Sequence, residues 1–162
     1  MTDILRLFFI IILLTIGLAA YFLVLTALFA NRVTKAQRII NQMPGRAIGV
    51  GLVNFLFFGV IAMVLFSVAE NTSGAIKVIL TMPALLISAL LTILLSFGLA
   101  GMANVVGERI LPEHSSLKKT VWGTVLLSFA CALPFIGWFL LLPYVALLGF
   151  GAVILGFFQR DS

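Results

Sequence analysis

Few residues in this chain are equipped to do chemistry, and their spacing limits what they could do. His114 is the sole histidine, with Glu113 beside it and Glu108 six positions earlier. A protein-bound zinc needs three or four ligands converging from set spacings, so His114 reads as a solvated loop histidine. Cys131 is the sole cysteine. It can form neither an intramolecular disulfide nor a Cys-x-x-Cys redox pair, and in apolar surroundings it reads as a small core residue. Bis-histidine haem ligation, serine–histidine or paired-aspartate proteolysis, and phospholipid synthesis on acidic metal motifs each lack their residues. No catalytic residue, metal or cofactor is expected, and the chain reads as non-enzymatic.

Two amides are left, Asn54 and Asn104, each in an otherwise apolar stretch. An unpaired amide in hydrocarbon is costly, so each must find a partner. Either they bond each other or a backbone carbonyl, or they line a polar cavity.

The elements that must position these residues follow from the charges. All 10 Lys/Arg and 5 Asp/Glu lie outside four apolar runs, Leu7–Ala30, Ala47–Ala69, Val78–Val106 and Val121–Phe158. A helix of about 20 apolar residues crosses the hydrocarbon core of a bilayer, and each run is long enough. At 63% hydrophobic and 9% charged, the chain lies far from soluble domains, which carry about 25% charged residues. The expected class is all-α, a polytopic transmembrane helical bundle forming a single membrane domain over residues 1–162. The first run continues past the roughly 7–15 residues of a signal-peptide core, so it is expected to remain as the first transmembrane helix. Ion-coupled transport and proton conduction need ionisable groups within the membrane. The runs contain none, and Glu70, at the end of the second, comes nearest.

Orientation follows from the loops. Residues 31–46 carry Arg32, Lys35, Arg38 and Arg46 without an acid, the mark of a cytoplasmic loop in an inner membrane. The N-terminus is then outside, and Glu70–Gly74 forms an external turn. Segment 107–120 returns to the cytoplasm with Arg109, Lys118 and Lys119 against Glu108 and Glu113. The net charge of +5 sits in such loops without a basic face interleaved with aromatics. Nucleic acid is therefore not an expected partner. Anionic lipid headgroups are, through Arg32, Lys35, Arg38, Arg46, Lys118 and Lys119.

The last run spans 38 residues. As one helix it would extend about 57 Å, nearly twice the hydrocarbon thickness. Pro134 removes a helix donor and Gly137 permits unusual backbone angles. A helical hairpin broken there gives five spans, at about residues 4–30, 47–69, 77–106, 117–132 and 135–158. Arg160 and the C-terminus then fall on the cytoplasmic side, and Trp138 near the external interface.

Lipid offers leucine no apolar advantage, so small residues and polar contacts hold transmembrane helices together. Gly45/Gly49, Ala47/Gly51, Ala103/Gly107 and Ala152/Gly156 recur at four-residue spacing, joined by Gly149 and Gly151. They predict a compact bundle, a homo-oligomer or contacts with other membrane subunits, and the spacing does not choose among these.

The C-terminal half carries Gly-Leu-Ala-Gly-Met-Ala-Asn-Val-Val-Gly-Glu-Arg-Ile-Leu over 98–111, Leu-Pro-Phe-Ile-Gly-Trp-Phe-Leu over 133–140 and Leu-Gly-Phe-Gly-Ala-Val-Ile-Leu over 148–155. In these stretches it resembles the multi-span membrane domain that accompanies bactofilin-type, polymer-forming cytoskeletal domains in bacteria. The resemblance covers about residues 30–158, without the polymer-forming domain. It implies a bacterial inner-membrane scaffold and supplies no catalytic residue. The leading expectation is a non-enzymatic scaffold or accessory subunit of a larger membrane complex. The alternative is a small oligomeric pore or lipid-handling protein with Asn54 and Asn104 facing a cavity.

Overall fold

The computed structural model describes residues 2–158, with side chains from residue 5 onward. Among the described residues six α-helices follow in order: α1 (Thr2–Leu28), α2 (Ala30–Gln42), α3 (Pro44–Glu70), α4 (Gly74–Ile110), α5 (Ser116–Ala132) and α6 (Leu142–Phe158). A π-helical segment, Ile136–Leu141, leads into α6. No strand occurs among the described residues, and the fold is an all-α bundle. Leu5–Leu28, Pro44–Glu70, Gly74–Ile110 and Ile136–Phe158 are long and apolar enough to cross a membrane. This is a multi-pass membrane protein.

The helix boundaries have local causes. Pro44 opens α3, where its missing N–H would be unpaired in any case. Gly74 adopts φ +68° as the chain turns into α4, a left-handed angle that glycine takes without steric cost. Pro83 lies inside α4 without ending it. At 37 residues, α4 is about 55 Å long, so its ends carry Lys77 on one side and Glu108 and Arg109 on the other.

Residues 31–46, expected as a loop, form α2 and the start of α3 instead. In α2 the buried residues are Val33, Ala36, Ile39 and Ile40, a helical stripe of spacing three to four. The four cations of this stretch argue for a loop only when periodicity is ignored. Val33, Ala36 and Ile39 are essentially inaccessible, packed on α4 and α6. The α1–α2 joint is held by Phe29, whose ring meets Phe97 edge-on with centroids 5.2 Å apart.

The break in the last run falls where proline and glycine predict it, but its hinge residue is another. Phe135 has φ 67° and ψ −67°, and the Ile136 N–H donates to the Pro134 carbonyl at 2.9 Å. This is a γ-turn of the rare, strained hand. Gly137 then passes against the carbonyls of Ala130 and Cys131, which a β-carbon would approach to 2.6 and 2.5 Å. The chain reverses here, yet α5 and α6 do not pair side by side as a hairpin. α5 lies antiparallel to α4, with Gly123 against Ala103 and Gly107 against Lys119, and it also packs on α1. α6 moves away to fill the space between α3 and α4. At 17 residues α5 is about 26 Å long, short of the roughly 30 Å hydrocarbon core.

α6 is the centre of the core. Phe150 and Ala152 are fully enclosed. Gly51 of α3 abuts the Leu147 carbonyl, Gly151 abuts the Ala47 carbonyl, and Gly98 of α4 faces Gly149. These crossings are backbone against backbone, the closest approach two helices can make. The cation-rich elements, α2 with the α4–α5 connection, gather at one end of the bundle. The last described residues join them, since Phe157 lies under the Arg32 guanidinium, 4.5 Å from ring centroid to carbon. Arg160, expected on the cytoplasmic side, lies outside the described residues.

Candidate functional site

At the cation-rich end, α1, α2, α4 and α5 line an open polar cavity of about 370 Å³. Asn104 forms its floor. It is 6% exposed; its Nδ2 donates to Thr26 Oγ1 at 3.3 Å, and its Oδ1 accepts from Thr120 Oγ1 at 2.6 Å. The Thr120 hydroxyl also lies 3.0 Å from the Ser116 carbonyl, and Thr124 Oγ1 donates to the Thr120 carbonyl at 2.7 Å. One amide thus ties three helices together. Thr34, Gln37, Arg38 and Asn41 of α2 face Glu108, Ser116 and Lys119 across the cavity. The Gln37 amide donates to the Glu108 carboxylate. Two cations and one carboxylate leave the cavity positive on balance.

Towards the far end the buried polar groups among the described residues are Thr124 and Thr15, each bonded to a carbonyl of its own helix. Phe22, Ala100 and Leu127 pack with Val145 of α6 as an apolar cluster, the first three within two turns of Thr26, Asn104 and Thr120 on their helices. The buried residues of this cluster are all apolar, so the pore alternative gains no polar path from it.

The other expected site residues are dispersed. Asn54 is half-buried and donates to the Val50 carbonyl of its own helix at 2.9 Å, so the two amides do not meet. Ala47, Ala103 and Ala152 are buried at crossings, as are Gly51 and Gly107. Gly156 makes ordinary contact with Ile39 and the Lys35 stem, while Gly45 and Gly49 face open space. Arg46 reaches the Met43 sulfur at 3.7 Å; Lys118, Glu113 and His114 are exposed on α5 and the turn before it. Thr26, Thr120 and Gln37 escaped the sequence reading, and Glu108 entered it only as a loop acid near His114. Thr26 and Thr120 stand 78 and 16 positions from Asn104, and only the fold brings them together.

This geometry separates the two asparagines by experiment. Asn104→Leu strands the Thr26 hydroxyl and is expected to destabilise the fold by about 1–2 kcal/mol. Asn54→Leu removes one bond within a single helix and is expected to change stability by less than about 0.5 kcal/mol. Unfolding titrations in detergent of the two variants check the difference.

A second feature opens on the membrane-facing side of α3 and α4. There a groove of about 620 Å³ has Gly59, Ala62, Ser67, Ser88 and Thr92 along it, between walls that include Phe55, Phe66, Leu91 and Leu95. Ser88 and Thr92 bond the carbonyls of Ala84 and Ser88, each at 2.8 Å. Elsewhere the outer surface is bulky, as at Leu13, Phe57, Ile79 and Leu86. Compared with protein-family models, curated proteins and solved structures, the chain matches none of them.

Proposed function

We propose that this protein is a non-enzymatic scaffold or accessory subunit of a larger membrane complex, and that it receives a transmembrane helix of a partner in the α3–α4 groove. The observation that carries the proposal is the lining of that groove. Glycine, alanine, serine and threonine at Gly59, Ala62, Ser67, Ser88 and Thr92 are the residues that let helices approach closely in lipid. Lipid-facing surface needs no such residues. The bulky walls supply ridges for a helix to lie between.

The test is photo-crosslinking in native membranes from a benzophenone amino acid placed at Met63 or Leu91, which line the groove, and at Leu86, which does not. A discrete heterologous protein adduct from the groove positions and none from Leu86 is expected. Adducts to lipid alone, or to a second copy of the chain, would overturn the reading.

On the same proposal the membrane is a bacterial inner membrane with the cation-rich end in the cytoplasm. In a Cys131→Ser background, a cysteine at Ser73 is expected to react with an impermeant maleimide in intact cells. One at His114 is expected to react only after lysis, and the reverse pattern would invert the topology.

A further inference from the structure

The open polar cavity between α1, α2, α4 and α5 holds more hydrogen-bond donors than the protein itself uses. Every residue lining it is polar or charged. Asn104, at its floor, is buried, and its amide nitrogen carries two N–H groups. One donates to Thr26 Oγ1 at 3.3 Å, which leaves the second. Thr26 is 9% exposed; its hydroxyl accepts from Asn104 and donates to no group among the described residues. Elsewhere in the bundle hydroxyls turn back on their own helix, as those of Thr15, Ser88, Thr92 and Thr124 do. Those of Thr26 and Thr34 do not, and they are left to an occupant of the cavity.

Charge points the same way. Arg38 comes from α2 and Lys119 from α5, and neither makes an ion pair among the described residues. Both are rooted in packed backbone. Ile39, next to Arg38, is buried, and a β-carbon at Gly107 would lie 1.9 Å from the Lys119 carbonyl oxygen. The carboxylate of the lining, Glu108, accepts from the Gln37 amide. Ser116 opens α5 at the cavity, and the preceding Ser115 supplies no side-chain cap. The first N–H groups of this 17-residue helix therefore keep no side-chain partner at its positive end. Two cations, surplus donors and one engaged acid suit a guest whose oxygens only accept.

We infer that this cavity binds a phosphate group, held between Arg38 and Lys119 with its oxygens towards Thr26, Asn104 and Ser116. Such a group belongs either to a soluble phosphate ester or to a lipid headgroup at the cavity mouth. The site occupies a different face from the α3–α4 groove and does not rest on the partner-helix reading.

The experiment titrates the full chain, held in phosphatidylcholine nanodiscs, with glycerol phosphate by calorimetry at constant ionic strength, with glycerol as the blank. A second arm uses nanodiscs of equimolar phosphatidylglycerol and phosphatidylcholine and counts the lipids retained in mild detergent by native mass spectrometry. Saturable binding of glycerol phosphate is expected and assigns the soluble source. Preferential retention of phosphatidylglycerol without it assigns the headgroup. In whichever arm binds, Arg38→Gln with Lys119→Gln should weaken binding by about thirtyfold. Glu108→Gln removes the opposing charge while keeping an acceptor for Gln37, and it should tighten binding by about threefold. Arg46→Gln with Lys118→Gln removes the same charge from the same end outside the cavity and should leave binding unchanged. Binding in neither arm would overturn the inference. So would weaker binding in Glu108→Gln, or a loss in Arg46→Gln/Lys118→Gln equal to that in Arg38→Gln/Lys119→Gln, since diffuse surface charge would then account for the binding.

Discussion

Gly151→Val is expected to abolish recovery of folded protein, and Gly51→Val to do nearly the same. A β-carbon at Gly151 would lie 1.8 Å from the Ala47 carbonyl oxygen and 2.7 Å from the Gly51 nitrogen; one at Gly51 would lie 2.0 Å from the Leu147 carbonyl oxygen. All these neighbours are backbone, so no side chain can swing aside. α3 and α6 would have to part along their seam, opening space around Phe150, Leu148 and Ala152, which are now enclosed. In lipid the attraction between helices is mostly packing itself, so separation removes the force that holds them. The expected loss is about 3 kcal/mol or more, at or above the usual cost of overpacking, against a total stability of roughly 5–15 kcal/mol. Gly45→Val and Gly49→Val are the controls. Their β-carbons would meet nothing within 4 Å, and stability should change by no more than about 0.5 kcal/mol. Size-exclusion recovery and unfolding in detergent read both outcomes.

The second large effect concerns association. Gly59 lines the α3–α4 groove, and a β-carbon there meets nothing within 4 Å. Gly59→Leu therefore fills the groove without disturbing the bundle, and it removes a helix-interior glycine, worth about 0.5–1 kcal/mol of stability. The expected result is a protein at least as stable as the parent whose crosslinking to a partner through Met63 falls at least tenfold. Unchanged crosslinking would place the contact elsewhere.

These two predictions show what was legible in the sequence. The four apolar runs and the break near Pro134 follow from length, charge and proline chemistry, and the helices form there. The glycine spacings were less informative. Gly45/Gly49 and Ala47/Gly51 are the same pattern displaced by two residues, which turns it about 200° around the helix. Only the position of α6 decides that Ala47 and Gly51 are covered. Asn104 could be singled out as a buried amide in need of a partner; its partners, from α1 and α5, are set by topology. α2 was hidden because four cations in sixteen residues suggest a loop, although Val33, Ala36, Ile39 and Ile40 already carried a helical period. The positive φ falls on Phe135 rather than on the nearby Gly137, and no sequence rule assigns a phenylalanine to that angle.

The central claim, that this is a subunit built to pack against another membrane protein, is tested most directly by purifying the tagged chain at native abundance in mild detergent or nanodiscs. The proteins retained with it are then identified and their stoichiometry measured by mass. The account predicts a fixed set of partners in constant ratio, lost in the Gly59→Leu variant. A stable, homogeneous monomer with no retained protein would contradict it.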